Sequence, residues 1–358
     1  WFDMFTMEGR TPQAGELFRS ADLARTLRSI ADTHAASFYR GEYAERIDQF
    51  MRRHGGYLRK EDLEAYRPEW VEPISVQYHG YDVWEMPPNG QGIVALMALN
   101  ILDAFEFKSP HDAETLHLAF EAMKLAYADG KRYVTDPRMM KVRVEDLLSK
   151  EYAEERRKEI GDYALPPKAG KPFKGGTVYV CAADAEGMMV SLIQSNYNGF
   201  GSGVVIPGTG ISLHNRGNNF SLDPDHDNCI APGKRTFHTI IPGFLTKNGE
   251  PVGPFGVVGA FMQPQGHVQV VMNTVDFRMN PQQALDAPRW QWMGDRVFHM
   301  EGRLSPDVVK TLLAKGHQLS AGLPYQGTFG RGNIIWRLPN GVYAGGCDPR
   351  SDGTVAGY

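Results

Sequence analysis

Residues 166–203 read PPKAGKPFKGG followed by TVYVCAADAEGMMVSLIQSNYNGFGSG. A loop rich in Gly, Pro and Lys ends at Gly176, and Thr177 opens an alternating run, Val178 to Ala183, that predicts a half-buried strand. Asp184-Ala185-Glu186-Gly187 is a turn, and the second apolar run, Met188 to Gln194, closes a hairpin. The hairpin thus begins with a threonine presented at the end of a linker. A threonine hydroxyl is a weak nucleophile until a base takes its proton, and the α-amine of the same residue serves if the Gly176–Thr177 bond is cut. Such an amine, with an ordinary pKa of about 7.7–8.0, is partly neutral at working pH.

Working outward from this hairpin, the segments before it are mostly helical. Ser20 to Arg40 carries Leu23, Leu27 and Ile30 at helical spacing, with Ser20 as N-cap and Gly41 as stop. Glu42 to His54 repeats the pattern up to Gly55-Gly56. Ile74–Tyr78 and Tyr81–Met86 alternate about His79-Gly80 as a hairpin; Ile93–Phe105 is apolar all round and predicts a buried helix. Further helices are expected over Asp112–Tyr127 and Val144–Arg157. After Thr177 the character becomes β, with strands at Val204–Ile206, Ile211–Leu213, His238–Leu245, Phe255–Val258, Asn333–Arg337 and Val342–Ala344. Helices are expected at His267–Asn273 and Pro306–Lys315. This order predicts an α+β arrangement of layers around one core.

Composition narrows the function classes. The chain has 358 residues and a net charge of -4, with its Lys and Arg scattered, so no basic face is set up for nucleic acid. No apolar run approaches the length of about 20 residues that spans a bilayer. Three cysteines, Cys181, Cys229 and Cys347, are too few and too dispersed for a disulfide framework or zinc cluster. Neither a nucleic-acid nor a membrane partner is expected, and no cofactor or metal is called for. The first residue is Trp1, which leaves the compartment open, with the cytoplasm favoured over secretion or the periplasm.

Other chemistry-bearing patterns weigh less. Gly199-Phe200-Gly201-Ser202-Gly203 leads into a strand, whereas a phosphate cradle needs a helix N-terminus. Asp223, Asp225, His226, Asp227 and Asn228 lack the glycine and distal glutamate of a calcium loop and read as a solvated turn. Gly201-Ser202-Gly203 lacks the spacing of a serine-hydrolase elbow.

The landmarks Thr177, Asp184, Gly187, Val190-Ser191, Phe200-Gly201, Asn215, Lys234-Arg235, Pro242 and the closing Asp348-Pro349-Arg350-Ser351 resemble the small subunit of γ-glutamyltranspeptidases. The first half is similar to the later part of the family's large subunit, through Asp22-Leu23-Ala24, Phe38-Tyr39-Arg40-Gly41, Met86-Pro87-Pro88 and Ala126-Tyr127-Ala128-Asp129. The resemblance implies a four-layer αββα sandwich of the N-terminal-nucleophile hydrolase type. It also implies autoproteolysis before Thr177: residues 1–176 would be large-subunit sequence, 177–358 the small subunit, and 161–176 the linker and cleavage loop. The two cleaved chains would stay together as an αβ heterodimer, which could itself pair.

Carried over residue by residue, Thr177 is the implied nucleophile, Ser195 the hydroxyl that hydrogen-bonds it, and the backbone N–H groups of Met262 and Gln263 the oxyanion donors, where the family has a glycine pair. The positions that read the acyl group hold Tyr197, Arg216, Asn219, His238 and Thr239. The family's aspartate for the donor ammonium is absent, and Arg216 adds a guanidinium suited to carboxylates. The implied activity is hydrolysis or transfer of a γ-glutamyl amide through an acyl-threonine. The alternative is a glutaryl-type cephalosporin acylase; a further one is an uncleaved, inactive homologue with a binding or structural role.

Overall fold

The computed structural model describes residues 1–167 and 176–357. Most of the linker, 168–175, therefore lies outside the described residues. The chain forms two compact units, Trp1–Trp70 with Asn198–Asn215, and Val71–Tyr197 with Arg216–Tyr358.

In the first unit the Ser20 hydroxyl caps helix Ala21–Asp32 by accepting the Leu23 N–H at 3.3 Å. The helix stops eight residues before the expected Arg40. Thr33 competes for the ladder: its hydroxyl donates to the Ser29 carbonyl at 2.6 Å and accepts the Ser37 N–H at 3.1 Å. His34 and Ala35 then turn left-handed, at φ 49° and 66°, before a short helix, Ala36–Tyr39. Helix Glu42–His54 ends at Gly55 in the left-handed region, as the Gly-Gly stop predicts.

The second unit holds the core. Six antiparallel strands run in the order Ile74–Tyr78, Tyr81–Glu85, Gly243–Lys247, Glu250–Val257, Gly332–Arg337, Tyr343–Cys347. On one face lie helices Met262–Val275 and Gly92–Leu102; every residue of the latter is buried, as its all-round apolar pattern predicts. Gly266 lets the first of these close on the sheet, since a Cβ there would stand 2.6 Å from Val257. On the other face lies the hairpin Gly176–Ala183 with Met189–Tyr197. Its Tyr179 ring fills the space over Gly256, and its Ser191 hydroxyl donates to the Gly243 carbonyl at 3.0 Å. Helices, sheet and hairpin thus stack as α+β layers around one core. The outer face of the hairpin stays half-exposed, through Val178, Val180, Val190 and Leu192.

Further elements differ from the sequence reading. Helix Ala113–Tyr133 runs six residues beyond Tyr127, because the charges that interrupt its apolar pattern are paired: Lys124 with Glu121 at 2.5 Å, and Asp129 with Arg156 at 2.9 Å. The segment expected as one helix over Val144–Arg157 divides where Ser149 caps a new helix, Lys150–Arg157. The strand expected from His238 begins only at Gly243. A three-stranded sheet, Gln318–Gly322, Val297–Glu301, Trp290–Gly294, was not foreseen; buried polar residues such as Gln291 and Glu301 break its alternation.

Candidate active site

Thr177 lies on the inward-leaning face of the hairpin, where the strand register slips. Gly176 faces Tyr197 but Val178 faces Gln194, so Ser195 and Asn196 together stand opposite Thr177. A bulge of this kind re-aims side chains, and here the Thr177 hydroxyl donates to the Ser195 hydroxyl at 3.1 Å. Ser195 Oγ also accepts the Tyr197 N–H at 2.9 Å. That bond accompanies an uncommon backbone: Tyr197 is a fully buried non-glycine residue at φ 78°. In the continuous chain the Thr177 nitrogen is a peptide amide with no lone pair to offer, so the arrangement supplies a hydroxyl pair awaiting its base.

Arg216 joins this pair to the rest of the site. Only 6% exposed, it donates to the Ser195 carbonyl at 3.2 Å and to the Thr239 hydroxyl at 3.0 Å, and its guanidinium lies 5.7 Å from the Tyr197 ring centre. Burial pushes its pKa down to about 10, so it remains a cation through neutral pH. Thr239 is itself fully buried. Asn219 donates to the Phe237 carbonyl at 3.0 Å, and His238 Nδ1 accepts the Ile240 N–H at 3.4 Å. Thr177, Ser195, Tyr197, Arg216 and Thr239 are therefore one contiguous set, while Asn219 and His238 support the segment that carries Thr239.

Met262 and Gln263 open a helix and are both fully buried. Their N–H groups donate within the turn, to Gly259 O at 2.9 Å and Ala260 O at 3.1 Å. As drawn, the turn uses these two donors internally. The turn depends on Gly259 at φ 127° and Ala260 at φ 52°.

Sequence reasoning missed Gln91. Fully buried, its side-chain amide donates to Thr239 O at 2.7 Å and Ala260 O at 2.8 Å, bridging the Arg216 seat to that turn. The one signal was a polar residue between Gly90 and Gly92 before an apolar helix.

Replacing Ser195 by Ala removes the only side-chain hydroxyl that the Thr177 hydroxyl meets among the described hydrogen bonds. A neutral hydrogen bond contributes about 1 kcal/mol, so kcat/KM is expected to fall roughly 5- to 10-fold in steady-state assays. An unchanged rate would remove Ser195 from the site.

Outside this site, the described residues contain one buried group with ligand-type atoms close together, His117, Glu121 and His317. Its members are largely paired with one another and with neighbours: His117 Nδ1 and His317 Nε2 are 2.8 Å apart, His117 Nε2 donates to Gly161 O at 2.8 Å, and Lys124 lies 2.5 Å from Glu121.

A threonine heading a hairpin that is stacked on an antiparallel sheet, with helices behind, defines an N-terminal-nucleophile hydrolase fold. The family model described as Gamma-glutamyltranspeptidase matches residues 1–358, and the chain belongs to that family of amide hydrolases and acyltransferases. A cephalosporin acylase from Bacillus halodurans superimposes with a TM-score of 0.96 at 61% identity, covering 100% of this chain and 66% of that one. The glutathione hydrolase-like YwrD proenzyme of Bacillus subtilis is 38% identical over 99% of this chain and 69% of its own length. The oxamate amidohydrolase proenzyme of Klebsiella pneumoniae is 36% identical over 99% of this chain and 68% of its own. The chain thus spans about two thirds of the length of these relatives.

Proposed function

We propose that the protein is a self-cleaving threonine amidohydrolase that removes a small, carboxylate-bearing acyl group, glutaryl in type, from an amine. The observation that carries this reading is Arg216, a buried cation on the same hydrogen-bonded chain as the nucleophile. A guanidinium in a desolvated pocket attracts a carboxylate and repels an ammonium. A glutaryl group offers the first without the second; a γ-glutamyl group brings both. The likeness to an acylase at 61% identity supports this, as does a relative that acts on oxamate, a monoamide with a carboxylate and no ammonium.

In the mechanism that follows, cleavage of the Gly176–Thr177 bond leaves residues 1–176 and 177–358 as two associated subunits, with the new amine on Thr177. That amine takes the hydroxyl proton as Oγ adds to the amide carbonyl. Collapse of the tetrahedral adduct breaks the C–N bond, and the proton passes to the departing amine. Water, giving its proton to the same base, then adds to the acyl-threonine, releasing the dicarboxylic acid and restoring the hydroxyl. The Met262 and Gln263 amides serve the oxyanion when they turn from their internal carbonyls towards it.

The family name and relatives such as the glutathione hydrolase of Escherichia coli, 33% identical, favour a second reading, γ-glutamyl hydrolysis or transfer on the same threonine. Paired glutaryl and L-γ-glutamyl anilides, assayed on the mature enzyme made from the full-length precursor, separate the two. The expected result is a kcat/KM at least tenfold higher for the glutaryl anilide, from a small subunit beginning Thr-Val-Tyr-Val. A γ-glutamyl preference would overturn the acylase reading, and a single uncut chain would point to the inactive homologue.

A further inference from the structure

The segment Thr236–Ile241 carries His238 and Thr239, yet it precedes the strand that begins at Gly243. Its hydrogen bonds come from elsewhere. His238 exchanges backbone bonds with the stretch before the buried helix, its N–H donating to Asn89 O and its carbonyl accepting from Gln91 N–H, both at 2.9 Å. Side-chain amides supply the rest: Asn89 donates to Thr236 O at 2.7 Å, Gln91 to Thr239 O at 2.7 Å, and Gln263 Oε1 accepts the Ile241 N–H at 3.1 Å. Gln91 also reaches across to Ala260 O, at 2.8 Å.

Two atoms of this framework are left over. Among the described residues, Gln91 Oε1 and Gln263 Nε2 are buried without hydrogen-bond partners, one an acceptor and the other a donor. Buried polar atoms normally find partners, and an unmatched pair at one junction marks a place where the structure has room to adjust. Both glutamines hold the same two parts, the Thr239–Ile241 segment and the turn at Ala260–Gln263.

We infer that Gln91 is a positioning residue. It sets the distance between the Thr239 seat of Arg216, which selects the acyl carboxylate, and the Gly259–Gln263 turn, which carries the Met262 and Gln263 amides; Gln263 braces the same junction. This rests on the reading of Arg216 given above. Gln91 touches no reacting atom. Its effect passes through Thr239 to Arg216 and through Ala260 to the turn, so its loss should alter selectivity and turnover together.

The test is the selectivity ratio, kcat/KM for glutaryl anilide over that for butyryl anilide, which lacks the carboxylate; as a ratio it does not depend on how much protein is active. It is measured on the mature enzyme from the full-length precursor, for wild type, Gln91→Met, Gln91→Glu and a control, Asn100→Leu. Asn100 is an equally buried amide, donating to Leu148 O at 2.8 Å, and is remote from the site in the hydrogen-bond chain. A purely structural role would lower Tm in the Gln91 and Asn100 variants alike and leave every ratio unchanged. The expected result is a ratio reduced about tenfold and a lower kcat in both Gln91 variants, with the control ratio intact. Gln91→Glu keeps the volume while exchanging the two-donor amide for a carboxyl group, and decides the matter if Gln91→Met does not accumulate. A wild-type ratio near one would remove the Arg216 reading itself. A high wild-type ratio retained in the Gln91 variants would overturn the positioning role alone.

Discussion

Replacing Thr177 by Ala is expected to leave one uncut chain with amidase activity at or below about 10⁻⁴ to 10⁻⁶ of wild type, the loss seen when a hydrolase loses its nucleophile. The size of the effect follows from the dual use of one residue. Its hydroxyl, 3.1 Å from Ser195, is the atom that would attack both the preceding peptide bond and the substrate amide. Its nitrogen would become the base only once that bond is broken. Thr177→Ser keeps both functions and is expected to process and turn over, more slowly. Intact mass, N-terminal sequencing and single-turnover rates read these outcomes. A Thr177→Ala protein cut at residue 177 and still active would place the nucleophile elsewhere.

Arg216→Asp is expected to produce the largest change in selectivity. In the wild-type protein the guanidinium is buried and held from two sides, by the Ser195 carbonyl and the Thr239 hydroxyl. Truncating one partner of a desolvated charge pair costs about 2–5 kcal/mol. At 1.4 kcal/mol per factor of ten, that is a loss of roughly 30- to 3000-fold in kcat/KM for the glutaryl anilide. The γ-glutamyl anilide carries an ammonium that the new carboxylate attracts, so its rate falls less or rises, and the preference between the two inverts. Arg216→Lys retains the charge but not the fork and should fall between. Equal losses for both substrates would show that Arg216 holds the fold instead of reading the acyl group.

How much of this was legible in the sequence varies with the physics that fixes each part. The nucleophile hairpin was legible because both strands alternate and a Gly-containing turn separates them, signals carried by neighbouring residues. The helix at Gly92–Leu102 was legible from its uniform apolarity. The helix over Ala113–Tyr133 was read too short, since Glu121, Lys124 and Asp129 look like surface residues until their buried partners are known. The strand expected from His238 failed for the opposite reason: its composition suits a strand, but its hydrogen bonds are met by side chains distant in sequence. The site residues Thr177, Ser195, Tyr197, Arg216 and Thr239 were reached through family resemblance, and the structure draws them together. Gln91 was beyond reach, because a glutamine acquires meaning only from the carbonyls it meets, 148 and 169 residues away.

The Thr177–Ser195 contact spans 18 residues across a hairpin, and Arg216 reaches Ser195 and Thr239 over 21 and 23, whereas Gln91 reaches Thr239 and Ala260 over 148 and 169. Local contacts close quickly and cost little chain entropy; distant ones come later. On separation alone, the contacts among Thr177, Ser195, Arg216 and Thr239 are the inexpensive ones to close, and the Gln91 brace is the expensive one. A change at Gln91 would therefore act on the long-range bracing of the candidate site while leaving its short-range hydroxyl and guanidinium contacts in place, whereas a change at Arg216 also removes a partner of Ser195.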